Sequence, residues 1–303
     1  MLIKLAKLSV LIILIVNSFG CHRTSSVEDS WSLVSSGFNF PEGPAWDAKG
    51  ILYVSNCYGD WLAKWQHGQL DTLALASDST FRRTNGLAVA TDGDIIACDF
   101  GSGSIVKLSP SGKSRVLISG YQGQPFHRPN DLILDENGDL YFTDPNKYGI
   151  DQLDGRLFFF RMTDGALILA ADSLAFPNGL AISPLDGKLY VCESAKHRIS
   201  RFQRLTNGTL TDKETFVDLP GGDPDGIEFD RAGNLYVAHF GGGAVYVISP
   251  DGAMVRRIAT PGIKPTNLEF GSDDLKTLFL TEVETNSVYR LRMSHPGFKS
   301  LNR

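Results

Sequence analysis

Along most of the chain, short apolar runs alternate with Gly, Asn and Asp, and the alternation has a long period. A polar residue precedes an apolar run, a turn and a second apolar run, which ends on another polar residue. Asn178 opens NGLAISPLDGKLYVCE, ending at Glu193. Glu42 opens EGPAWDAKGILYVSN, Asn85 opens NGLAVATDGDIIACD and Asn130 opens NDLILDENGDLYFTD. Asp225 opens DGIEFDRAGNLYVAH and Asn267 opens NLEFGSDDLKTLFLTE. The six starts lie 42 to 48 residues apart. A period of this size built from strand-like units marks a repeat architecture.

Each apolar run is rich in β-branched and aromatic residues and is bounded by turn formers, so each reads as a strand. Asp92-Gly93, Asn137-Gly138 and Asp186-Gly187 suit tight type I′ hairpins, where both central residues need positive φ. A second hairpin signal follows in five units, at His67-Gly68, Ser111-Gly112, Asp164-Gly165, Asn207-Gly208 and Asp251-Gly252. Two hairpins give four strands per unit. Six such units predict an all-β fold, a six-bladed β-propeller, whose radial closure removes long exposed sheet edges. The last unit lacks a clear fourth strand, and Trp31 to Phe38 is expected to supply it. The propeller then spans residues 31–303.

The first strand of a blade lines the central channel. Glu42, Asn85, Asn130, Asn178, Asp225 and Asn267 are therefore expected in one inner ring at a channel mouth. Asn56, Asp99, Asp144, Glu193, His239 and Glu282 fall at the same end, one strand further out. Asp99, Asp144, Glu193 and Glu282 are expected to be structural acceptors for backbone amides of a neighbouring blade, with Asp144 also able to orient Asn130, and His239 is read as a structural histidine over one that titrates at the mouth.

Composition adds compartment. The 303 residues are 42% hydrophobic with a net charge of −5. No basic stripe supports nucleic-acid binding. Lys4 and Lys7 precede an apolar run from Leu8 to Val16, then Asn-Ser-Phe-Gly-Cys21. This pattern predicts a signal peptide over residues 1–20, export from a bacterial cytoplasm, and a flexible tether over 21–30. Two processing routes stay open: lipidation at Cys21, which would anchor the protein to a membrane, or plain cleavage that leaves it periplasmic. Cys98 and Cys192 share a repeat position with Ser55, Thr143, Ala238 and Thr281, which points to small packed residues and no disulfide framework.

The chain resembles the senescence marker protein, gluconolactonase and luciferin-regenerating enzyme family. The residues that carry this are Glu42-Gly-Pro-Ala-Trp46, Arg128-Pro-Asn-Asp-Leu132 with Tyr141-Phe-Thr-Asp144, Phe176-Pro-Asn-Gly-Leu180 and Asp223-Pro-Asp-Gly226. Phe270-Gly-Ser-Asp-Asp-Leu-Lys-Thr-Leu-Phe-Leu-Thr281 also fits, so the likeness runs from about Phe40 to Arg292. The Arg-Pro-Asn-Asp stretch is closer to the microbial gluconolactonases. The resemblance implies one divalent cation held by Glu42, Asn130, Asn178 and Asp225. Two carboxylates and two amide oxygens make a hard donor set that suits Ca²⁺ first, with Mg²⁺, Zn²⁺ or Mn²⁺ also open. It further implies that Arg128 and Asn130 hold substrate oxygens and that Asp225 is the general base. Chemistry alone does not choose between Asp225 and Glu42, the two carboxylates of the inner ring. Asn85 lies outside that quartet and is expected to face substrate or support the ligands, with a structural role equally open.

The expected reaction is hydrolysis of a lactone, a small-molecule substrate of the sugar-lactone class. Two rivals remain: phosphotriester hydrolysis on the same donors, and a non-catalytic propeller that binds sugar or a partner. Loops 119–127 and 145–154, with Tyr121, Phe126 and Tyr148, are expected to overhang the mouth.

Overall fold

The computed structural model describes residues 30–301. The proposed signal peptide, Cys21 and nearly all of the tether lie outside the described residues. Within them the chain forms six four-stranded antiparallel sheets, five running in sequence order from the channel outward and the sixth completed by an N-terminal outer strand, and together these make a six-bladed β-propeller. Their innermost strands are Pro41–Trp46, Thr84–Val89, Leu132–Leu134, Pro177–Ile182, Asp223–Phe229 and Pro265–Gly271, which define blades 1 to 6. The predicted closure is present. Ser32–Ser36 pairs antiparallel with Ser287–Arg292, Ser36 facing Ser287, and becomes the outer strand of blade 6.

Burial follows the radial order. The second strands Leu52–Asn56, Ile95–Asp99, Leu140–Asp144 and Leu189–Glu193 are buried along their whole length, because neighbouring sheets cover both faces. The outer strand Met254–Ala259 is exposed at five of its six positions. The core is divided among the blade interfaces. Ala45 and Tyr53 of blade 1 meet Leu87 and Ile95 of blade 2, and Phe142 and Phe158 of blade 3 meet Ile96 and Ile105 of blade 2. Cys98 and Cys192 are free and fully buried, as their repeat position requires.

The hairpins differ from the expectation in one respect. His67-Gly68 has both residues at positive φ, 51° and 82°, as a type I′ turn demands. At Asp92-Gly93, Asn137-Gly138 and Asp186-Gly187 only the glycine is left-handed, at 86°, 81° and 68°. There the loop is longer, by one residue in the first two and by two in the third: Ala90 N–H reaches Asp94 O at 2.9 Å, and Asp92 Oδ1 accepts from Asp94 N–H at 3.0 Å. The aspartate side chain holds the turn, and the glycine alone supplies the reversal.

At the end of the channel away from the predicted ring, the chain's last described residues form a stopper. Arg231 N–H donates to Pro296 O at 2.9 Å, Phe298 N–H to Phe229 O at 2.8 Å, and Ser300 Oγ to Leu134 O at 2.5 Å. The segment thus runs from blade 6 past blade 5 to blade 3, and Leu301 buries itself beside Leu132 and Leu134. Lys299 pairs with buried Glu269. Glu228 lines the same cavity, and burial holds its carboxyl well above the usual range despite the opposing Lys299 charge. Lys299→Met would strand the Glu269 carboxylate. The expected loss is about 3 kcal/mol in denaturant unfolding, largely restored in Glu269→Gln/Lys299→Met, because removing one partner of a buried pair costs more than removing both.

Candidate active site

The site is built where each innermost strand begins. In five blades the pairing slips at that point, between Glu42 and Ala45, Thr84 and Leu87, Pro177 and Leu180, Pro224 and Ile227, and Pro265 and Asn267. Such bulges re-aim a side chain, and here the mouth receives Glu42, Asn85, Asn178 and Asp225. The residue that follows is usually glycine because the next blade comes close. A Cβ on Gly179 would sit 2.2 Å from Asp225 O, and one on Gly43 would sit 2.1 Å from Asn85 O. The Asn-Gly pairs at these starts are therefore close-approach sites and not turns. The second strands lock the ring from the neighbouring blade: Ser55 Oγ donates to Asn85 O at 2.6 Å and Thr143 Oγ1 to Asn178 O at 2.9 Å.

The resulting cavity holds about 580 Å³ and is lined by Glu42, Asn85, Arg128, Asn130, Asn178 and Asp225 together. These are the site residues expected from the sequence. The sixth member expected in the ring, Asn267, is not at the mouth. Pro265 aligns with Pro41, Pro177 and Pro224, each facing the polar end of its second strand. The ring position of blade 6 is thus Thr266, whose Oγ1 donates to Pro41 O at 3.0 Å and closes blade 6 onto blade 1. Asn267 lies one residue deeper, where it donates to Asp131 Oδ2 at 3.4 Å.

Asp131 is a buried carboxyl of the channel that the sequence reading did not single out. It occupies the position that is glycine in blades 1, 2, 4 and 5, and a Cβ on Gly86 would come 2.3 Å from its Oδ1. A charged residue in place of that glycine, at the head of an apolar run, was the available signal.

Three carboxyls now stack down the channel. Burial pushes Glu42 up to about 8, with Asp131 adding to the rise and Gly43 N–H and the Asn267 amide opposing it. Burial also pushes Asp131 up to about 7. Asp225 is held well above the usual carboxylate range, first by burial, then by Glu42, Asp131 and Asp223, while the Asn178 amide donates to it and opposes the rise. Among the described residues no lysine or arginine pairs with Glu42 or Asp225 within 4.0 Å. No cluster of three or more His, Cys, Asp or Glu side chains suited to a metal exists among the described residues. The four candidate donors lie outside such a description because two are amides. Two uncompensated carboxylates and two amide oxygens on one cavity are nonetheless what a hard divalent cation would stabilise, so the donor set fits one.

The strand-end acids serve the backbone, as expected, but within their own blades. Asp99 accepts from Arg82 and Arg83 N–H at 2.9 and 2.7 Å, and Glu282 accepts from Lys264 N–H at 2.9 Å. Asp144 accepts from Arg128 N–H at 2.8 Å and binds Arg156, so it orients Arg128 and not Asn130. His239 is buried, donates from Nε2–H to Leu219 O at 3.1 Å and packs on Tyr246.

Of the two loops, 145–154 overhangs the mouth. Tyr148 crosses Phe176 at 5.3 Å and donates to Asp223 of blade 5 at 2.9 Å. Loop 119–127 does not act as a lid. Phe126 and Tyr121 pack at a tilt against Phe158, 5.0 and 5.1 Å away, and are drawn into the core between blades 2 and 3.

The fold and this mouth define the class: a propeller with an acid–amide centre in a concave cavity at one end of a plugged channel. Residues 40–284 match the family profile described as the SMP-30/gluconolactonase/LRE-like region. The chain belongs to that family. It is 33% identical over 291 residues to a gluconolactonase of Zymomonas mobilis, covering 86% of this chain and 80% of that one. Among solved structures it is similar to a gluconolactonase from Xanthomonas campestris, with a TM-score of 0.77, 28% identity, and 88% and 90% of the two chains covered. The fold also matches the calcium-binding protein regucalcin of Agrobacterium tumefaciens, with a TM-score of 0.77 at 20% identity over 91% and 98% of the chains.

Proposed function

We propose that this protein is a lactonase that hydrolyses a sugar lactone at the channel mouth, with one divalent cation, Ca²⁺ first, held by Glu42, Asn130, Asn178 and Asp225. The observation that carries the reading is the convergence of these four donors with Arg128 and Asn85 on one cavity of about 580 Å³. The gluconolactonase relatives support the substrate class, and the calcium-binding neighbour is in keeping with a hard cation.

When bound there, a divalent cation supplies polarisation of the lactone carbonyl and the positive charge that keeps both carboxylates ionised. The chain's own residues do the rest. Arg128 and Asn130 orient the substrate hydroxyls, Arg128 with a fork of donors suited to oxygen pairs. Asp225, steadied by the Asn178 amide, takes a proton from water as the water oxygen adds to the carbonyl carbon. The ring C–O bond then breaks, and the proton passes to the departing ring oxygen, giving the hydroxy acid. Tyr148 and Phe176 wall the mouth between blades 3 and 5 and limit access of bulk water.

Proton release from glucono-δ-lactone tests this. Turnover well above the spontaneous rate is expected with Ca²⁺, and its loss with chelator. A protein that binds Ca²⁺ but releases no protons from glucono- or pentonolactones would sink the lactonase reading.

A further inference from the structure

Each blade has a residue two positions before its ring residue: Phe40, Arg83, Arg128, Phe176, Asp223 and Lys264. All but Lys264 line the mouth. In this outer ring Arg128 has a counterpart. Arg83-Thr84-Asn85 of blade 2 repeats Arg128-Pro129-Asn130 of blade 3, and the backbone confirms the equivalence. Arg83 N–H donates to Asp99 Oδ1 at 2.7 Å, as Arg128 N–H donates to Asp144 Oδ1 at 2.8 Å.

Both guanidiniums have capacity to spare. The Arg83 guanidinium lies 5.5 Å over the Tyr58 ring, itself part of the mouth. Its ion pair with Asp60 is loose, 3.8 Å between side chains 49% and 60% exposed, and such pairs hold little. Among the described residues the Arg128 guanidinium makes no ion pair within 4.0 Å. On the opposite side, Asp223 is already engaged by Tyr148 at 2.9 Å and His197 at 3.0 Å. Blades 1 and 4 present phenyl rings. The mouth is therefore polarised, with its free positive charge on the side of blades 2 and 3, beside the Asn85 and Asn130 amides.

We propose that Arg83 and Asn85 form a second subsite that reads an oxyanion at the end of the substrate remote from the reacting carbonyl. The preferred substrates are then lactones bearing a carboxylate, phosphate or sulfonate. A guanidinium fork matches such groups bidentately, and the Tyr58 face holds Arg83 in place for it. A neutral sugar lactone offers only hydroxyls there, which take ordinary hydrogen bonds without the bidentate, charge-assisted pairing that an oxyanion gives. The reaction rests on the lactonase reading, but the subsite does not.

Two measurements test it. The first compares kcat/KM for glucono-δ-lactone with a glucarolactone and with 6-phosphogluconolactone, in wild type and Arg83→Met. At least one anionic lactone should be favoured tenfold or more, and Arg83→Met should cut that ratio at least tenfold, with Arg83→Lys in between. The anion that gains identifies the group read. The second measurement is calorimetric binding of D-glucarate against D-gluconate in the presence of Ca²⁺. Glucarate should bind about tenfold more tightly, and Arg83→Met should remove the difference. Equal constants for glucarate and gluconate, or a ratio that survives Arg83→Met, overturns the subsite. If no lactone is turned over, the lactonase reading fails and the calorimetric ratio alone decides the subsite.

Discussion

Replacing Asp225 by asparagine should lower kcat/KM for glucono-δ-lactone by about 10³-fold, the middle of the range for loss of a positioned general base. The substitution keeps the shape of a buried side chain that accepts the Asn178 amide. It removes the oxygen basicity that water activation needs. The same experiment separates Asp225 from Glu42, the other mouth carboxylate. Glu42→Gln weakens the cation site and should recover most of its activity at high Ca²⁺, because its loss is one of occupancy. Asp225→Asn should not recover, because a full site still lacks the base. The readout is proton release against Ca²⁺ concentration for both variants. Residual Asp225→Asn activity within tenfold of wild type at saturating Ca²⁺ would transfer the base role elsewhere, with Glu42 next in line.

The residues that define this test were legible because a propeller repeats its logic in each blade. Polar residue, glycine, apolar run and turn recur at blade spacing, so the ring could be drawn before any coordinates. The error in blade 6 has a specific origin. The reading aligned Asn267 with Asn178 on chemical likeness, whereas the backbone aligns Pro265 with Pro177. In a bulged strand start, one residue of slip moves a side chain from the mouth to the next layer down. The contacts of the deeper layer were not legible for a different reason. Asp131 and Asn267 meet across the channel although 136 residues separate them, and no local pattern encodes a contact between opposite blades. The same holds for Lys299, whose partner Glu269 looks like an ordinary polar break in a strand until the terminal segment is seen crossing the channel. Local repetition thus fixes which groups face the axis. The closure of the ring decides which of them touch.

That axial stack makes the cation-free protein less stable as pH rises. Glu42 goes from an ordinary 4.5 to about 8 in the folded chain, and Asp131 from 3.8 to about 7. Asp225 is raised as well. The folded state therefore keeps protons that the unfolded chain gives up. Stability from a raised carboxyl is present at low pH and is lost as pH climbs through the folded value. For Glu42 alone, the change from pH 5 to pH 8 is on the order of 3 kcal/mol. His239, whose buried imidazole lies below its ordinary value, works in the opposite direction and only at the acid end of this range. Ca²⁺ should reverse the trend, because a cation that binds only the folded form stabilises it in proportion to its affinity. Protons compete with the cation for the same oxygens, so its stabilising effect should be large at pH 8 and small at pH 5. Guanidinium midpoints at both pH values, with chelator and with Ca²⁺, measure the full cycle. With chelator the midpoint should fall between pH 5 and pH 8, and Glu42→Gln should flatten the fall. A chelator midpoint that rises with pH would mean that the carboxyls are neutralised by something other than protons, and that the channel lacks the uncompensated charge on which the cation site depends.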